Sequence, residues 1–285
     1  MQSSAEVEKL GQELVAALRY VNAWRGKTVV VKYGGSVLDD NGAGTVLEDL
    51  VLLKQAGIHP VLVHGGGPEI TRTLRAMGRE TRFVNGLRVT DAQTMEVVEM
   101  VLAGRVNKTL VGMLANLGAR AVGLSGKDGG LLRVRQLNEA LGFVGEVEAA
   151  DPRILHVLNR EGYIPVVASI GLGPNGESYN LNADTAAGAL AVALEASKFI
   201  LLTDVEGVYA KGEGSPQLVS QLRMEEARWL MATGVISEGM IPKVEACLRA
   251  LEGGVQSAHI ISGKIPHALL VELFTETGIG TMITP

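Results

Sequence analysis

Apolar residues at Val7, Leu10, Leu14, Leu18 and Val21 recur at steps of three and four, the stripe of an amphipathic helix. The helix stands ahead of the first strand, so its apolar face must be buried on the body of the chain or on another subunit. After Gly26 the pattern changes to short β-rich runs alternating with helical stretches. Residues 28–32, 60–64, 119–125, 164–169, 199–203 and 257–262 predict strands. Their apolar runs are near-continuous, as expected for parallel strands covered on both faces. Residues 45–56, 69–77, 91–117, 152–161, 183–196, 224–234, 242–251 and 266–276 predict helices. Thr90 followed by Gln93 fits a capping box at the start of the long third helix, and Pro242 suits a first helical turn. Residues 131–147 and 168–180 break the alternation and predict hairpins with glycine-containing turns. The expected fold class is α/β: an open, mainly parallel sheet sandwiched between helices, with right-handed crossovers, β-hairpin insertions and an N-terminal helix.

Composition narrows the function. In 285 residues, 47% are hydrophobic and 20% charged, which predicts an ordered globular chain with a sizeable core. Glycine, at 36 residues, is well above its usual share of ~7% and predicts many tight turns or close backbone approaches. A net charge of −5 and 4% aromatics argue against nucleic acid as a partner. One cysteine, Cys247, excludes an internal disulfide framework and reads as a small buried apolar residue. His59, His64, His156, His259 and His267 lack metal-ligand spacing, so no metal site is expected on them. No apolar window reaches the ~18 residues of a membrane span. Glu6, Glu8 and Glu13 stand where a signal peptide would be basic, so a cytoplasmic protein is expected.

Ligands of open α/β sheets sit beyond the carboxyl ends of the strands. Here the first strand ends in Lys32-Tyr33-Gly34-Gly35-Ser36 and the second in His64-Gly65-Gly66-Gly67-Pro68, directly before a helix. Another ends in Ser125-Gly126-Lys127 and another in Thr203-Asp204-Val205-Glu206-Gly207. Glycines there let backbone N–H groups approach an anion, and a helix N-terminus adds partial positive charge. Each cluster alone is equally a tight βα turn; two on one sheet edge with a lysine make a phosphate cradle. Familiar nucleotide motifs do not account for it. Gly26-Lys27-Thr28 ends like a P-loop, but Val21 occupies the required glycine position and a strand follows. Gly171, Gly173 and Gly176 formally match a dinucleotide fingerprint, yet Pro174 and the hairpin pattern argue against it. Asp184, at the mouth of an Ala-rich helix, and Lys243, near the start of another, are the remaining charged candidates. A lysine at a helix N-terminus opposes the macrodipole, a cost that a nearby anion offsets. Taken singly, Lys243 also reads as a solvated lysine and Asp184 as a dipole partner.

The segments Val30–Ser36, His64–Pro68, Asn85–Asp91, Asn180–Asp184, Leu202–Val208 and Gly239–Lys243, in this order, resemble the N-acetyl-L-glutamate kinases of the amino-acid kinase superfamily. The resemblance runs from about residue 6 to Pro285 and implies the amino-acid kinase fold. It also implies transfer of the ATP γ-phosphoryl group to the side-chain carboxylate of N-acetyl-L-glutamate, with Mg²⁺ accompanying the nucleotide. By the same resemblance Lys32 and Lys243 flank the transferring group and Asp184 organises the two lysines. Gly34 and Gly35 bind phosphate through their amides. Gly66, Gly67, Arg88, Asn180 and Asn182 hold the acceptor, with Arg88 on its α-carboxylate. Thr203, Asp204, Val205, Gly207, Val208, Tyr209 and Lys211 form the nucleotide stretch. Residues 1–24 become an oligomerisation arm, 25–196 an acetylglutamate-binding and dimerisation lobe, and 197–285 an ATP-binding lobe.

The chain ends resemble the arginine-inhibited branch. Tyr20, Lys198, His267, Glu272, Gly278 and Gly280 then mark an allosteric arginine site, and the N-terminal helix interlaces dimers into a hexamer. A PII-type signalling protein joins the candidate partners of such a ring. The competing enzyme readings are a kinase for N-acetyl-α-aminoadipate or for a carrier-linked glutamate, since one methylene in a pocket discriminates by only ~1–3 kcal/mol. A competing class is a silent arginine sensor on the same fold, against which the retention of Lys32, Asp184 and Lys243 together speaks.

Overall fold

The computed structural model describes residues 4–34, 43–210, 217–236, 239–275 and 278–285. In chain order the strands are β1 (Thr28–Tyr33), β2 (His59–His64), β3 (Phe83–Val84), β4 (Leu87–Arg88), β5 (Ala121–Ser125), β6 (Leu132–Gln136), β7 (Gly145–Ala150) and β8 (Ile164–Ala168). They continue with β9 (Ile170–Leu172), β10 (Ser178–Asn180), β11 (Lys198–Thr203), β12 (Tyr209–Ala210), β13 (Gln217–Leu218), β14 (Gln221–Arg223), β15 (Ser257–Ser262) and β16 (Thr281–Thr284). The main sheet has eight strands in the order β14-β16-β15-β11-β1-β2-β8-β5. From β15 to β5 every pairing is parallel; β16, antiparallel to β15, reverses the direction, and β14, parallel to β16, runs with it. Residues 281–284, beyond the last strand that the pattern predicts, thus join the sheet as β16, between β14 and β15. Because β1 pairs with β11 from Val29↔Lys198 onward, one sheet runs through both lobes assigned from the sequence.

The near-continuous apolar runs have the expected cause. Val29, Val31 and Tyr33 of β1 pack on one face with helices Ala43–Gln55, Gly67–Ala76 and Ala268–Phe274. Val30 packs on the other with helices Ala183–Ala193, Met224–Ala232 and Ile241–Glu252. Alternation along a strand therefore sends Lys32 to the same side as Val30, toward the Ala-rich helix. Small residues let that helix approach closely: a side chain on Gly188 would come within 3.4 Å of the Ala246 carbonyl. Cys247 is fully buried in this layer.

The two expected hairpins form, and they join in a second sheet, β10-β9-β6-β7. Two expectations change. The long third helix is not one α-helix: Ala92–Glu99 and Asn107–Asn116 flank a π-helical segment, Met100–Val106. Its N-cap is Asp91, whose carboxylate accepts from Thr94 N–H at 2.7 Å, and not Thr90. Thr90 is buried and donates its hydroxyl to the Arg88 carbonyl at 2.8 Å, so it is unavailable as a cap. The spacing also missed hairpin β3–β4, although Asn85-Gly86 between apolar residues signals a type I′ turn. Both residues have positive φ, 49° and 77°, as that turn demands.

Candidate active site

The site lies where the chain leaves β1 toward β2 on one side while β11 returns on the other, a topological switch point. A cavity of about 220 Å³ opens there, lined by Lys32, Gly65–Gly67, Arg88, Leu102, Asn180 and Asn182, among others. Six residues assigned to catalysis or acceptor binding by resemblance thus share one cavity, although they come from four separate segments.

Gly66 and Gly67 form the turn into helix Gly67–Ala76, which has no side-chain cap and carries Pro68 in its first turn. Its N–H groups are therefore left for a ligand, with the helix dipole behind them. The two glycines have different reasons to be glycine. A Cβ on Gly66 would stand 2.6 Å from Leu102 Cδ2, whereas a Cβ on Gly67 would meet nothing within 4 Å. Packing and φ leave Gly67 free to be alanine.

Arg88, on β4, is buried over the Phe83 ring, its guanidinium carbon 4.7 Å from the ring centroid. One amine, Nη2, donates to the Gly67 carbonyl at 3.0 Å and to Thr71 Oγ1 at 2.8 Å. The other, Nη1, is buried without a hydrogen-bond partner. Burial pulls the Arg88 pKa down, which leaves a cation that an incoming carboxylate would satisfy. Opposite, Asn180 donates to Thr90 Oγ1 at 3.3 Å, so the buried threonine holds the amide in place. Asn182 caps helix Ala183–Ala193, its Oδ1 accepting from Asp184 N–H at 2.9 Å and Thr185 N–H at 3.1 Å. That cap orients Asp184, whose Oδ1 lies 2.8 Å from Lys32 Nζ with both side chains largely buried.

Lys243 comes from a separate element. It stands in the first turn of helix Ile241–Glu252, and the ion pair of Asp184 is with Lys32. The charge of Lys243 acts on Asp204, beyond the end of β11. The Asp204 carboxyl is held below its usual range chiefly by the Thr203 hydroxyl, 3.0 Å away, with Lys243 and Lys264 adding to it. Along the same stretch Val208 is a core residue whose N–H donates to Thr281 Oγ1 and whose carbonyl accepts from Val219. Gly207 is glycine because a Cβ would stand 2.6 Å from Thr281 Oγ1; Val205 and Tyr209 are exposed. Gly34 follows β1 directly and is buried, while Gly35 and Lys211 lie outside the described residues.

At the opposite end of β11, Lys198 is buried, 5.2 Å from the Trp24 ring of the N-terminal helix. Burial lowers its pKa against the pull of Glu272. Glu272 accepts from His259 at 2.5 Å and from Ile279 N–H at 2.8 Å, and a side chain on Gly278 would strike it. His267 pairs with buried Asp49 at 2.7 Å, and Gly280 lies against the Ile260 carbonyl. Tyr20 is half-buried on its helix.

A family model described as the amino acid kinase family matches residues 27–262. An acetylglutamate kinase from Pelotomaculum thermopropionicum is 52% identical over 283 residues, covering 95% of this chain and 96% of the relative. Another from Moorella thermoacetica is 50% identical over 291 residues, covering 98% of each. The chain belongs to the amino acid kinase family, among its acetylglutamate kinases. A solved N-acetylglutamate synthase from Neisseria gonorrhoeae, complexed with coenzyme A and N-acetyl-glutamate, superposes with a TM-score of 0.85 at 29% identity. The match covers 96% of this amino acid kinase and 63% of the synthase. The same synthase complexed with coenzyme A and L-arginine gives 0.81 at 27% identity, covering 96% and 65%. Among the cavity's lining residues, Phe83 and Leu102 escaped the sequence reading; only the Asn85-Gly86 turn, which places Phe83 on hairpin β3–β4, offered a signal.

Proposed function

We propose that this chain transfers the γ-phosphoryl group of Mg-ATP to the side-chain carboxylate of N-acetyl-L-glutamate, a phosphorylation in arginine biosynthesis, in the cytoplasm. The observation that carries the reading is one cavity with a half-satisfied arginine fork at Arg88 and, across it, Lys32 with the bare amides of Gly66 and Gly67. Two anionic ends fit two cationic ends. The acceptor's α-carboxylate takes Arg88 Nη1, and its side-chain carboxylate meets the phosphoryl group beside Lys32. The carboxylate, with a reference pKa of ~4.3, is already ionised near neutrality and needs no general base. Its oxygen attacks phosphorus as the bond to the ADP oxygen breaks, and the residues supply position and positive potential. Lys243 approaches from the nucleotide side, in the lobe 197–285, while residues 25–196 bind the acceptor. Gly34 and Gly35, and the stretch from Thr203 to Tyr209 with Lys211, serve the nucleotide. Mg²⁺ arrives with the nucleotide phosphates, as this ion prefers; among the described residues no cluster of His, Cys, Asp and Glu offers it a protein cage.

The test is ADP release from Mg-ATP with N-acetylglutamate, N-acetylaminoadipate and aspartate in parallel. A clear preference for N-acetylglutamate is expected; no turnover with any acceptor would leave a binding protein. Feedback inhibition by arginine, in a hexamer built through the helix Ser4–Trp24 and open to a PII-type partner, belongs to the same reading. It is supported by buried Lys198 beside Trp24, with buried Glu272 acting on that lysine, and by the arginine carried by the synthase neighbour. Arginine titrated into the assay to millimolar levels should inhibit; a flat response ends this part and spares the kinase.

A further inference from the structure

One fully buried polar pair stands directly behind the cavity. His64, the last residue of β2, and Asn107, the first residue after the π-helical segment, are both 0% exposed. Asn107 Nδ2 lies 3.1 Å from His64 Nε2, 3.2 Å from the Leu124 carbonyl and 2.9 Å from the Val166 carbonyl. Its Oδ1 accepts from Lys108 Nζ at 3.0 Å, which fixes the amide's orientation. One amide therefore ties together three neighbouring strands, β2, β8 and β5. Gly123 makes room for it: a Cβ there would fall 1.9 Å from Asn107 Oδ1.

These contacts determine the histidine's protonation. Because Asn107 offers N–H hydrogens, His64 Nε2 must accept, and the ring proton must sit on Nδ1. Nδ1 then donates to the Gly65 carbonyl, 2.9 Å away. In a trans peptide the carbonyl and the following N–H point in opposite directions. Anchoring Gly65 O on the histidine side turns the Gly66 N–H away from it, and Gly65 and Gly66 both line the cavity. The π-helical segment closes the arrangement, since the Asn107 N–H reaches back to the carbonyl of Leu102, the residue packed against Gly66. π-Helical insertions recur at functional sites because they re-aim side chains in this way.

We propose that His64 and Asn107 are positioning residues: they lock the Gly65–Gly66 peptide so that the Gly66 amide faces the phosphoryl group in transfer. This rests on the kinase reading above. Burial of the ring, which pushes its pKa down to about 4, keeps it in the neutral form the arrangement needs.

Two variants separate the two ring contacts. In His64→Asn the side-chain amide replaces Nδ1 and keeps the bond to Gly65 O. His64→Gln places its polar end at Nε2 and keeps only the bond to Asn107. We expect His64→Asn to retain kcat within about threefold and His64→Gln to lose kcat by roughly 10²-fold, the size of one lost oxyanion-type donor. KM for N-acetylglutamate should move far less than kcat in the glutamine variant. Equal loss in both variants, equal retention in both, or the reverse order would each overturn the proposal. A third measurement uses the wild-type enzyme and does not depend on variants folding. Nitrogen NMR of isotope-labelled histidine should show His64 protonated on Nδ1 and bare on Nε2 from about pH 5 to about pH 9. The other tautomer, or an imidazolium in that range, overturns the proposal. A wild type that fails to phosphorylate N-acetylglutamate would refute the kinase reading alone, and the tautomer would still decide this one.

Discussion

Gly67→Ala should make the protein more stable and less active. Gly67 is the first residue of helix Gly67–Ala76, its backbone is outside the left-handed region, and a Cβ there meets no atom within 4 Å. No contact is lost and no strain arises in the folded chain, while the unfolded chain loses conformational freedom. That contributes ~0.4–1 kcal/mol, or roughly 1–4 °C in Tm for a chain of this size. The methyl group nevertheless enters space beside the cavity formed by Lys32, Arg88 and Asn180. Displacing a reacting group by about 1 Å costs on the order of 10²-fold in rate, so kcat/KM for the acceptor should fall by about that factor. Thermal unfolding and steady-state phosphorylation assays on the same preparation read both quantities. A lowered Tm would mean that Gly67 is kept for packing, and unchanged kcat/KM would mean that no substrate approaches it; either result refutes the reasoning.

The two lysines should separate in the same pair of assays. Lys32→Ala and Lys243→Ala should each lower kcat by orders of magnitude, but only the first leaves Asp184 nearly buried without its cation, costing ~3–5 kcal/mol. Lys243→Ala removes a cation from a helix N-terminus and should leave Tm unchanged or slightly raised; near-normal turnover in both variants would defeat the assignment. Arg88→Lys keeps the charge and loses the fork, so KM for the acceptor should rise by roughly 10-fold or more with a smaller change in kcat. An unchanged KM would remove Arg88 from the acceptor site. On the acid side, the unfolded chain protonates His64 near its ordinary pKa of 6.5, while the folded chain holds it neutral to about 4. Stability should therefore fall as pH drops through that window, by on the order of 3 kcal/mol from this residue. His259, also pushed down by burial, acts in the same direction. His64→Asn should flatten the acid limb of a Tm-against-pH curve, and an identical limb in the variant would contradict the assignment.

The α/β layering was legible in the apolar runs because parallel strands covered on both faces leave no alternation to confuse them. The six central strands stand where the runs place them, within two residues at each end. The strand-end glycines and Lys32 stood out in the residues themselves, whereas Arg88, Asn180 and Asn182 entered only through the resemblance; the structure brings them to one cavity. The N-cap was misassigned because Thr90 and Asp91 are both good caps, and only burial decides between them. When the threonine hydroxyl turned inward to the Arg88 carbonyl, the aspartate was left to cap the helix.

What the residues determined by themselves was local: periodicity, turn chemistry, and the parity that sends Lys32 to the same face as Val30. Tertiary structure decided which charges meet. Asp184 pairs with Lys32 while Lys243 acts on Asp204, and Arg88 is left with one amine unsatisfied. It also decided that a lone asparagine after a π-helical segment reaches three strands and a histidine ring. Periodicity reports the face a residue occupies; the distance between residues far apart in the chain depends on how the layers pack, to within an ångström, and no linear pattern encodes that.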